Sequence, residues 1–179
     1  MAFIDQLTSG GVFPEPFETF EEGIDKVLPY IERVSDELTD TDVYTDQRWV
    51  EVRDDVDFQE SVLHVFKEDG SYMRIIEGNI EIGSWSYDVN GIILKYQSIH
   101  AFYEPVFIDD DFFILRKHGS NAVNKRRYLF FTTESNQKKY TWAELITVLY
   151  RDFYRQNHHI VIIVMVLFAI ALSILYFSM

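Results

Sequence analysis

The order of apolar and polar positions divides the chain into segments with different periodicity. Between residues 47 and 135, apolar and polar residues alternate, which is the period-two pattern of strands with one buried face. Eight short runs show this pattern: 48–53, 62–67, 72–77, 80–87, 92–97, 101–108, 112–116 and 127–133. The turn-like connections between them, such as Gly78-Asn79 and Asn90-Gly91, predict an antiparallel meander. Such a meander hides its edges best as a barrel or a strongly coiled sheet.

Helical periodicity precedes this β-domain. Thr19 and Glu22 have the spacing of a capping box, which predicts the start of a helix. Apolar residues then recur at helical spacing as far as Leu38, and Pro29 inside the pattern is expected to kink or split the helix. Residues 1–46 are therefore interpreted as an acidic N-terminal arm and helix.

A second capping box, Thr141 and Glu144, follows the β-domain. It predicts a basic juxtamembrane helix within residues 136–159. The complete prediction is an α+β fold: an antiparallel β-meander or barrel with flanking helices and one C-terminal transmembrane helix.

The transmembrane helix is predicted over residues 160–177, an uncharged run that reads IVIIVMVLFAIALSILYF. At about 1.5 Å per residue the run spans about 27 Å, close to the roughly 30 Å core of a bilayer. A buried core helix is the alternative, but it would usually be shorter and carry a polar stripe. Because only two residues follow the run, the pattern indicates a tail anchor.

Basic and histidine side chains flank the predicted span on its N-terminal side: Arg151, Arg155, His158 and His159. Positive residues remain on the cytoplasmic side, so the N-terminal domain is expected in the cytoplasm, with the bacterial inner membrane favoured. Membrane lipid is the expected partner of these four residues. Simple topological charges are favoured over specific lipid recognition, and adjacent histidines on a helix point apart, which disfavours a metal pair.

Ala169 and Ser173 lie four residues apart within the span. Small residues at this spacing allow two helices to pack closely, so another membrane protein or a second copy of this chain is an expected partner. Chance is an equally acceptable explanation, since small residues are common in membrane helices.

Charge and composition exclude several functions. The net charge is −13, and residues 1–112 carry 26 acidic and 7 basic side chains. An acidic body of this kind argues against nucleic acid as a partner, because phosphate contacts need clustered Lys and Arg. The chain has no cysteine, which excludes disulfides, thiolate zinc sites and a thiol nucleophile.

Candidate catalytic and metal-binding patterns are weak. Asp109, Asp110 and Asp111 are adjacent carboxylates, which occur more often in solvated turns than in metal sites. A second acidic group has a faint calcium-loop spacing, but it lacks the glycine and one oxygen donor of that loop; it consists of Asp40, Asp42, Asp46 and Glu51. No phosphate loop, dinucleotide fingerprint or metalloprotease motif is present. No catalytic residue, metal or cofactor is therefore predicted, and the protein is not expected to be an enzyme.

One set of residues matches a family pattern. The set reads F-x-x-D-G-x-Y, then G-x-W, then N-G, and comprises Phe66, Asp69, Gly70, Tyr72, Gly83, Trp85, Asn90 and Gly91. On these residues, the stretch 63–116 resembles the lipocalin-like meanders of bacterial proteins. The resemblance implies a β-meander or barrel fold and assigns no binding residue.

These patterns favour a non-enzymatic, tail-anchored protein that presents a cytoplasmic β-barrel-like binding or assembly module as a subunit of a membrane complex. The alternative is a membrane-tethered carrier or sensor of a hydrophobic small molecule, and a membrane-associated enzyme is third. A filled barrel favours the first function, and a cavity with a few convergent polar groups favours the second. A cleft of ionisable residues with perturbed pKa values would favour the third.

Overall fold

Eight antiparallel strands follow one another in chain order and close into a barrel. The computed structural model describes residues 16–32, 35, 40–55, 60–88, 91–119, 126–153 and 167. The strands are β1 (Trp49–Glu51), β2 (Val62–Phe66), β3 (Ser71–Ile76), β4 (Asn79–Asp88), β5 (Gly91–Tyr96), β6 (Ile99–Ile108), β7 (Phe112–Lys117) and β8 (Tyr128–Thr132). All eight predicted strands and the predicted antiparallel meander are thus confirmed, and the barrel is consistent with the lipocalin-like resemblance.

The shortest strand closes the barrel. β1 has two residue pairs with β2, Trp49–His64 and Val50–Leu63, and two with β8, Val50–Thr132 and Glu51–Phe131. Every other neighbouring pair of strands shares five or six residue pairs. The barrel therefore closes through its least extensive backbone pairing.

The hairpin turns alternate between the two ends of the barrel because neighbouring strands run in opposite directions. The β2–β3 turn at 67–70 and the β6–β7 turn at 109–111 lie at one end, which we call the closed end. The β3–β4 turn and the β5–β6 turn lie at the other end, which we call the mouth. In the β3–β4 turn, Glu77 and Gly78 have φ angles of 48° and 83°, as a tight hairpin requires. The turn was predicted one residue later, and Asn79 instead begins β4.

Aromatic side chains fill the barrel at the closed end. Tyr44, just before β1, is 1% exposed, and its ring stacks on Phe113 with centroids 5.1 Å apart. Trp85 meets the ring of Tyr44 edge-on at 5.5 Å and the ring of Phe66 edge-on at 5.8 Å. These edge-on and stacked contacts pack the closed end as a continuous apolar core.

The residues that carry the lipocalin-like resemblance organise this core and the neighbouring strands. The Trp85 indole donates a hydrogen bond to the carbonyl oxygen of Lys67 at 2.8 Å, which holds the β2–β3 turn. Gly83 pairs with Tyr96, and a Cβ atom on Gly83 would lie 2.2 Å from the carbonyl oxygen of Lys95. Glycine is therefore required where β4 and β5 approach each other.

A helix, α1 (Phe20–Ile31), packs on the outside of the barrel. The Phe20 ring lies 6.2 Å from the ring of Phe130 on β8, and the Tyr128 hydroxyl donates a hydrogen bond to Asp25 at 2.7 Å. The helix therefore covers the outward side of β8.

The two ends of α1 agree with the sequence prediction to different degrees. The predicted start is confirmed, since the Thr19 hydroxyl accepts a hydrogen bond from the Glu22 amide at 3.3 Å. The split expected at Pro29 agrees with the end of α1 at Ile31, and the helical spacing beyond it does not hold at Ser35, which is not helical. The Ser35 hydroxyl instead accepts a hydrogen bond from the Ile108 amide at 3.0 Å. Leu38 lies outside the described residues.

After β8, α2 (Glu134–Gln137) precedes the second capping box, which is confirmed. The Thr141 amide donates to the Glu144 carboxylate at 2.8 Å, and residues 142–146 are helical. The barrel, α1 and α2 belong to one compact unit, Phe17–Ile146.

Met1–Pro16 and Thr147–Met179 form a second unit, in which residues 147–153 are helical. Within the described part of the chain, no helix combines the length and the apolar character needed to cross a bilayer. The predicted span 160–177 lies outside the described residues, apart from Leu167.

Candidate functional site

A cavity of about 520 Å³ opens at the mouth of the barrel. Its walls come from β1, β2, β3, β5, β6, β7 and β8 and from residues adjoining these strands. The lining residues are Glu51, Arg53, Asp55, His64, Arg74, Tyr96, Gln97, Ile99, Tyr103, Lys117, Arg126, Tyr128 and Leu129. The inward residues of these strands form the apolar core at the closed end. Two or four positions nearer the mouth, most of the same strands carry ionisable side chains.

A buried chain of hydrogen bonds lies beneath the cavity. His64 is 2% exposed; its Nε2 lies 3.2 Å from Glu51 Oε2, and its Nδ1 lies 2.5 Å from the Tyr72 hydroxyl. A neutral imidazole satisfies both contacts if Nε2–H donates to Glu51 and Nδ1 accepts from Tyr72. This arrangement assigns the Nε2-protonated tautomer to His64.

The pKa values in this chain favour the neutral imidazole. Burial lowers the pKa of His64, and this effect outweighs the opposing hydrogen bond and charge of Glu51. Burial alone would raise the pKa of Glu51, but the His64 hydrogen bond and the charges of Arg53 and Arg126 hold that pKa below its ordinary value. Glu51 is therefore ionised and His64 neutral at physiological pH.

Arginine–carboxylate pairs occupy the wall formed around β1. Arg53 Nη2 lies 2.7 Å from Asp55 Oδ2. Arg126 Nη2 lies 2.8 Å from Asp54 and 2.9 Å from Asp55, while its Nη1 lies 3.5 Å from Glu51. Both guanidinium groups thus have carboxylate partners from the same short segment.

A third arginine is paired within the β3–β4 hairpin. Arg74 Nη1 lies 2.9 Å from Glu81 Oε2, and its guanidinium lies 5.7 Å from the centre of the Tyr96 ring. Gln97 donates a second hydrogen bond to Glu81 at 2.6 Å. Arg74 is therefore fixed in position beside Tyr96 by its neighbours.

Three polar groups in the cavity have no such partner among the described residues: the Lys117 ammonium and the hydroxyls of Tyr96 and Tyr103. Lys117 ends β7 and pairs with Tyr103 on β6, so the two side chains lie side by side on the same face. Burial raises the pKa of both tyrosines, and therefore their hydroxyls remain protonated donors.

Of the six site residues predicted from the sequence, one lies within the described part of the chain. Arg151 is exposed and lies 3.7 Å from Asp152, its neighbour in the chain. The other five lie outside the described residues: Arg155, His158, His159, Ala169 and Ser173. The membrane-flanking and helix-packing assignments therefore remain predictions.

The acidic groups weighed in the sequence have structural roles. Asp109 Oδ1 accepts hydrogen bonds from the amides of Asp111 at 2.9 Å and Phe112 at 2.7 Å, which forms the β6–β7 turn. Asp40 caps a 3₁₀ turn at Thr41–Val43, and Asp46 pairs with Lys67. Glu51 belongs to the cavity instead, so the faint calcium-loop pattern is divided between different parts of the barrel.

Sequence reasoning did not identify the cavity residues, although the strand pattern contains a signal. Glu51 lies two residues after the inward Trp49, and Arg74 lies two residues after the inward Tyr72. Strand alternation therefore places both charges on the inward face. Charged residues at inward positions near the ends of strands are therefore the sequence signal that indicates a polar mouth.

No family model matches the chain, and searches among curated proteins and solved structures found no match.

Proposed function

We propose that this chain is a non-enzymatic, membrane-tethered protein that binds a small molecule in the mouth of its barrel. The single observation that carries the proposal is the 520 Å³ cavity. Its volume falls within the roughly 300–1,000 Å³ typical of small-molecule sites. Most of its lining is polar, but the arginines are paired with carboxylates, and among the described residues this leaves Lys117, Tyr96 and Tyr103 to converge on a ligand. The barrel is filled at the closed end only, which favours the carrier or sensor function over a purely structural module.

The buried Glu51–His64–Tyr72 chain supports binding rather than catalysis. Its order resembles the acid–base–hydroxyl sequence of a nucleophilic triad. However, Tyr72 is 0% exposed, and burial raises its pKa well above the ordinary value. A hydroxyl that remains protonated beneath the cavity floor is poorly suited to attack a substrate.

The membrane tether in this proposal rests on the sequence. The uncharged run 160–177 and the preceding basic residues support a tail anchor with the barrel in the cytoplasm. A binding domain held there would meet molecules that partition between membrane and cytosol.

An assembly module is a second candidate, and a specific surface favours it. On the outward side of β2, β3 and β4, two cross-strand rows of apolar residues are formed by Leu63, Ile75 and Ile80 and by Val65, Met73 and Ile82. Ile80 and Ile82 are 60% and 75% exposed. Adjacent exposed apolar side chains of this kind often mark protein contacts.

A matched pair of substitutions tests the small-molecule function. The full chain is placed in lipid nanodiscs and titrated with phenylnaphthylamine, which is uncharged, and with anilinonaphthalene sulfonate, which is anionic; empty nanodiscs provide the blank. Ile99→Trp introduces a large side chain at the cavity, and Ile82→Trp makes the same change on the outward face. We expect at least one probe to bind the wild type, and Ile99→Trp to weaken that binding at least tenfold while Ile82→Trp leaves it unchanged.

Absence of binding by both probes, or binding that Ile99→Trp does not alter, would contradict the small-molecule function. Loss of a co-purified protein in Ile82→Trp alone would support the assembly module.

A further inference from the structure

We propose that the ligand of the mouth is a monoanionic organic molecule and that Lys117 pairs with its charge. This inference rests on the proposed function and specifies the class of ligand. It follows from the charge pairing within the cavity, from the position of the unpaired cation, and from the apolar surface beside it.

The arginines of the cavity are already neutralised. Arg53, Arg74 and Arg126 each lie within 3 Å of a carboxylate, at 2.7, 2.9 and 2.8 Å respectively. Breaking the Arg74 or Arg126 pair to bind a ligand would leave a half-buried carboxylate without its partner, and moving Arg53 would also take it from the buried Glu51, 3.9 Å away, which is unfavourable. The arginines therefore shape the cavity and are not its anion receptors.

Lys117 differs from these arginines. It lines the cavity, it is half-buried, and no carboxylate lies within ion-pair distance of it among the described residues. Tyr103 is the cross-strand neighbour of Lys117. Neither its hydroxyl nor that of Tyr96 has a hydrogen-bond partner among the residues that the structure describes. One ammonium and two phenol donors form a suitable set for a single carboxylate or similar anion.

The three arginines of the cavity already face four carboxylates, so Lys117 is the one cation of the described lining that a ligand charge can pair with, and this limits the ligand to one negative charge. A first anionic group would neutralise Lys117. A second would lie in a cavity that already contains the ionised Glu51 and Asp55, without a cation to balance it. A neutral ligand would cover the Lys117 ammonium without pairing with its charge, so its binding free energy would be less favourable than that of the monoanion.

The remaining surface favours an organic body. Ile99 and Leu129 are the aliphatic residues of the lining, and the rings of Tyr96 and Tyr103 add aromatic surface. A flat aromatic or branched apolar group can pack on these side chains while its acid group reaches Lys117.

The test uses three compounds with the same rings and different charges: naphthalene methanol (uncharged), naphthoate (monoanionic) and naphthalene dicarboxylate (dianionic). Calorimetry on the full chain in nanodiscs, corrected with empty nanodiscs, is expected to show naphthoate binding at least tenfold more tightly than either of the others. Lys117→Met should reduce naphthoate affinity at least tenfold and leave naphthalene methanol within about twofold. Tyr103→Phe should reduce naphthoate affinity by a smaller factor, about threefold.

The control is Lys95→Met, the same change at an exposed residue of β5 that does not line the cavity, and it should alter neither compound. Tighter binding of the uncharged or the dianionic compound, or naphthoate affinity unchanged by Lys117→Met, would overturn the monoanion assignment while the small-molecule function stands. Failure of all three compounds to bind would count against both. Circular dichroism of each variant verifies that it has folded.

Discussion

The two ends of the barrel are built on the same strands but differ in chemistry. Along β1, Trp49 contributes to the closed end, and Glu51, two residues further on, contributes to the mouth. Two residues of a strand cover only about 7 Å. The barrel therefore changes from an aromatic core to an ion-paired cavity within that distance. The comparison shows that the closed end can supply stability while the mouth remains available for binding.

Carboxyl groups at the two ends respond differently to their surroundings. At the closed end, burial raises the pKa of Asp109 to about 6, and the neighbouring Asp111 and Asp110 contribute to the increase. At the mouth, burial opposes the lowering of both pKa values, but Arg53 and Arg126 lower the pKa of Asp55, and the His64 hydrogen bond together with the same arginines lowers that of Glu51. Desolvation dominates where no partner is near, and hydrogen bonds and arginines dominate where they are present.

The largest expected effect is the loss of an aromatic ring from the closed end. Phe113 is 0% exposed and contacts Tyr44, Trp49 and Phe66. Phe113→Ala should lower the free energy of unfolding by about 3–5 kcal/mol, because it leaves a cavity in a packed core. Denaturant unfolding of the full chain measures the change. Phe102→Ala, a half-buried outward position on β6, should cost clearly less, and equal losses would show that the closed end is not the main source of stability.

At the mouth, Glu51→Gln should have an intermediate effect. A glutamine oxygen can still accept the His64 hydrogen bond, but the charge that faces Arg53 and Arg126 is lost. The expected cost is about 1.5–3 kcal/mol at pH 7, the range for a hydrogen bond to a charged group. Asp55→Asn, a more exposed partner of the same arginines, should cost less than about 1 kcal/mol.

Histidine titration provides a second measurement for Glu51→Gln. The folded-state pKa of His64 is lowered, so its contribution to stability is present above its unfolded pKa and is lost as pH falls below it. Glu51 opposes that shift, so its removal should lower the His64 pKa further. A higher His64 pKa in the variant, followed by NMR, would contradict the proposed hydrogen bond.

The smallest effect is expected at Asp109, and it has the opposite sign. Because the folded-state pKa of Asp109 is raised to about 6, its contribution favours folding below its unfolded pKa and is lost as pH rises through about 6. Asp109→Asn keeps the acceptor oxygen of the turn and removes the charge. A pKa raised by about two units corresponds to at most roughly 3 kcal/mol. Solvent screening at this partly exposed turn reduces the expected gain to about 1 kcal/mol at pH 8, with almost none at pH 4. Thermal unfolding at both pH values checks this, with the exposed Asp110→Asn as the control. A loss of stability at pH 8 would show that the ionised form is favoured.

The strands were predictable because they are short apolar runs separated by turn residues, although β7 and β8 are buried on both faces. The Glu77-Gly78 turn was missed by one residue, because an adjacent asparagine, Asn79, gives an equally good turn pattern. Pro29 indicated where α1 ends, but the non-helical conformation of Ser35 was not predicted. The apolar spacing continues past Pro29, but Ser35 bonds to the backbone of β6, and no local pattern reveals that tertiary contact.

The candidate site was less predictable than the fold. Pairing of Lys117 with Tyr103 depends on strand register, and the pairing of Arg126 with Asp54 joins residues 72 positions apart. A single sequence identifies inward positions but not which of them meet across a barrel. Which cation lacks a partner is therefore evident only from the assembled structure.

The brief pairing of β1 has a kinetic consequence. Amide hydrogens of Trp49–Glu51 are held by few cross-strand pairs, so they should exchange with solvent faster than those of β3 or β4. Separation of β1 from β8 would open the wall that carries Glu51 while the aromatic packing of the closed end stays intact. A ligand bound in the mouth, as proposed, would then have a side route into and out of the barrel, and its residence time would depend on how often this seam opens rather than on how often the protein unfolds.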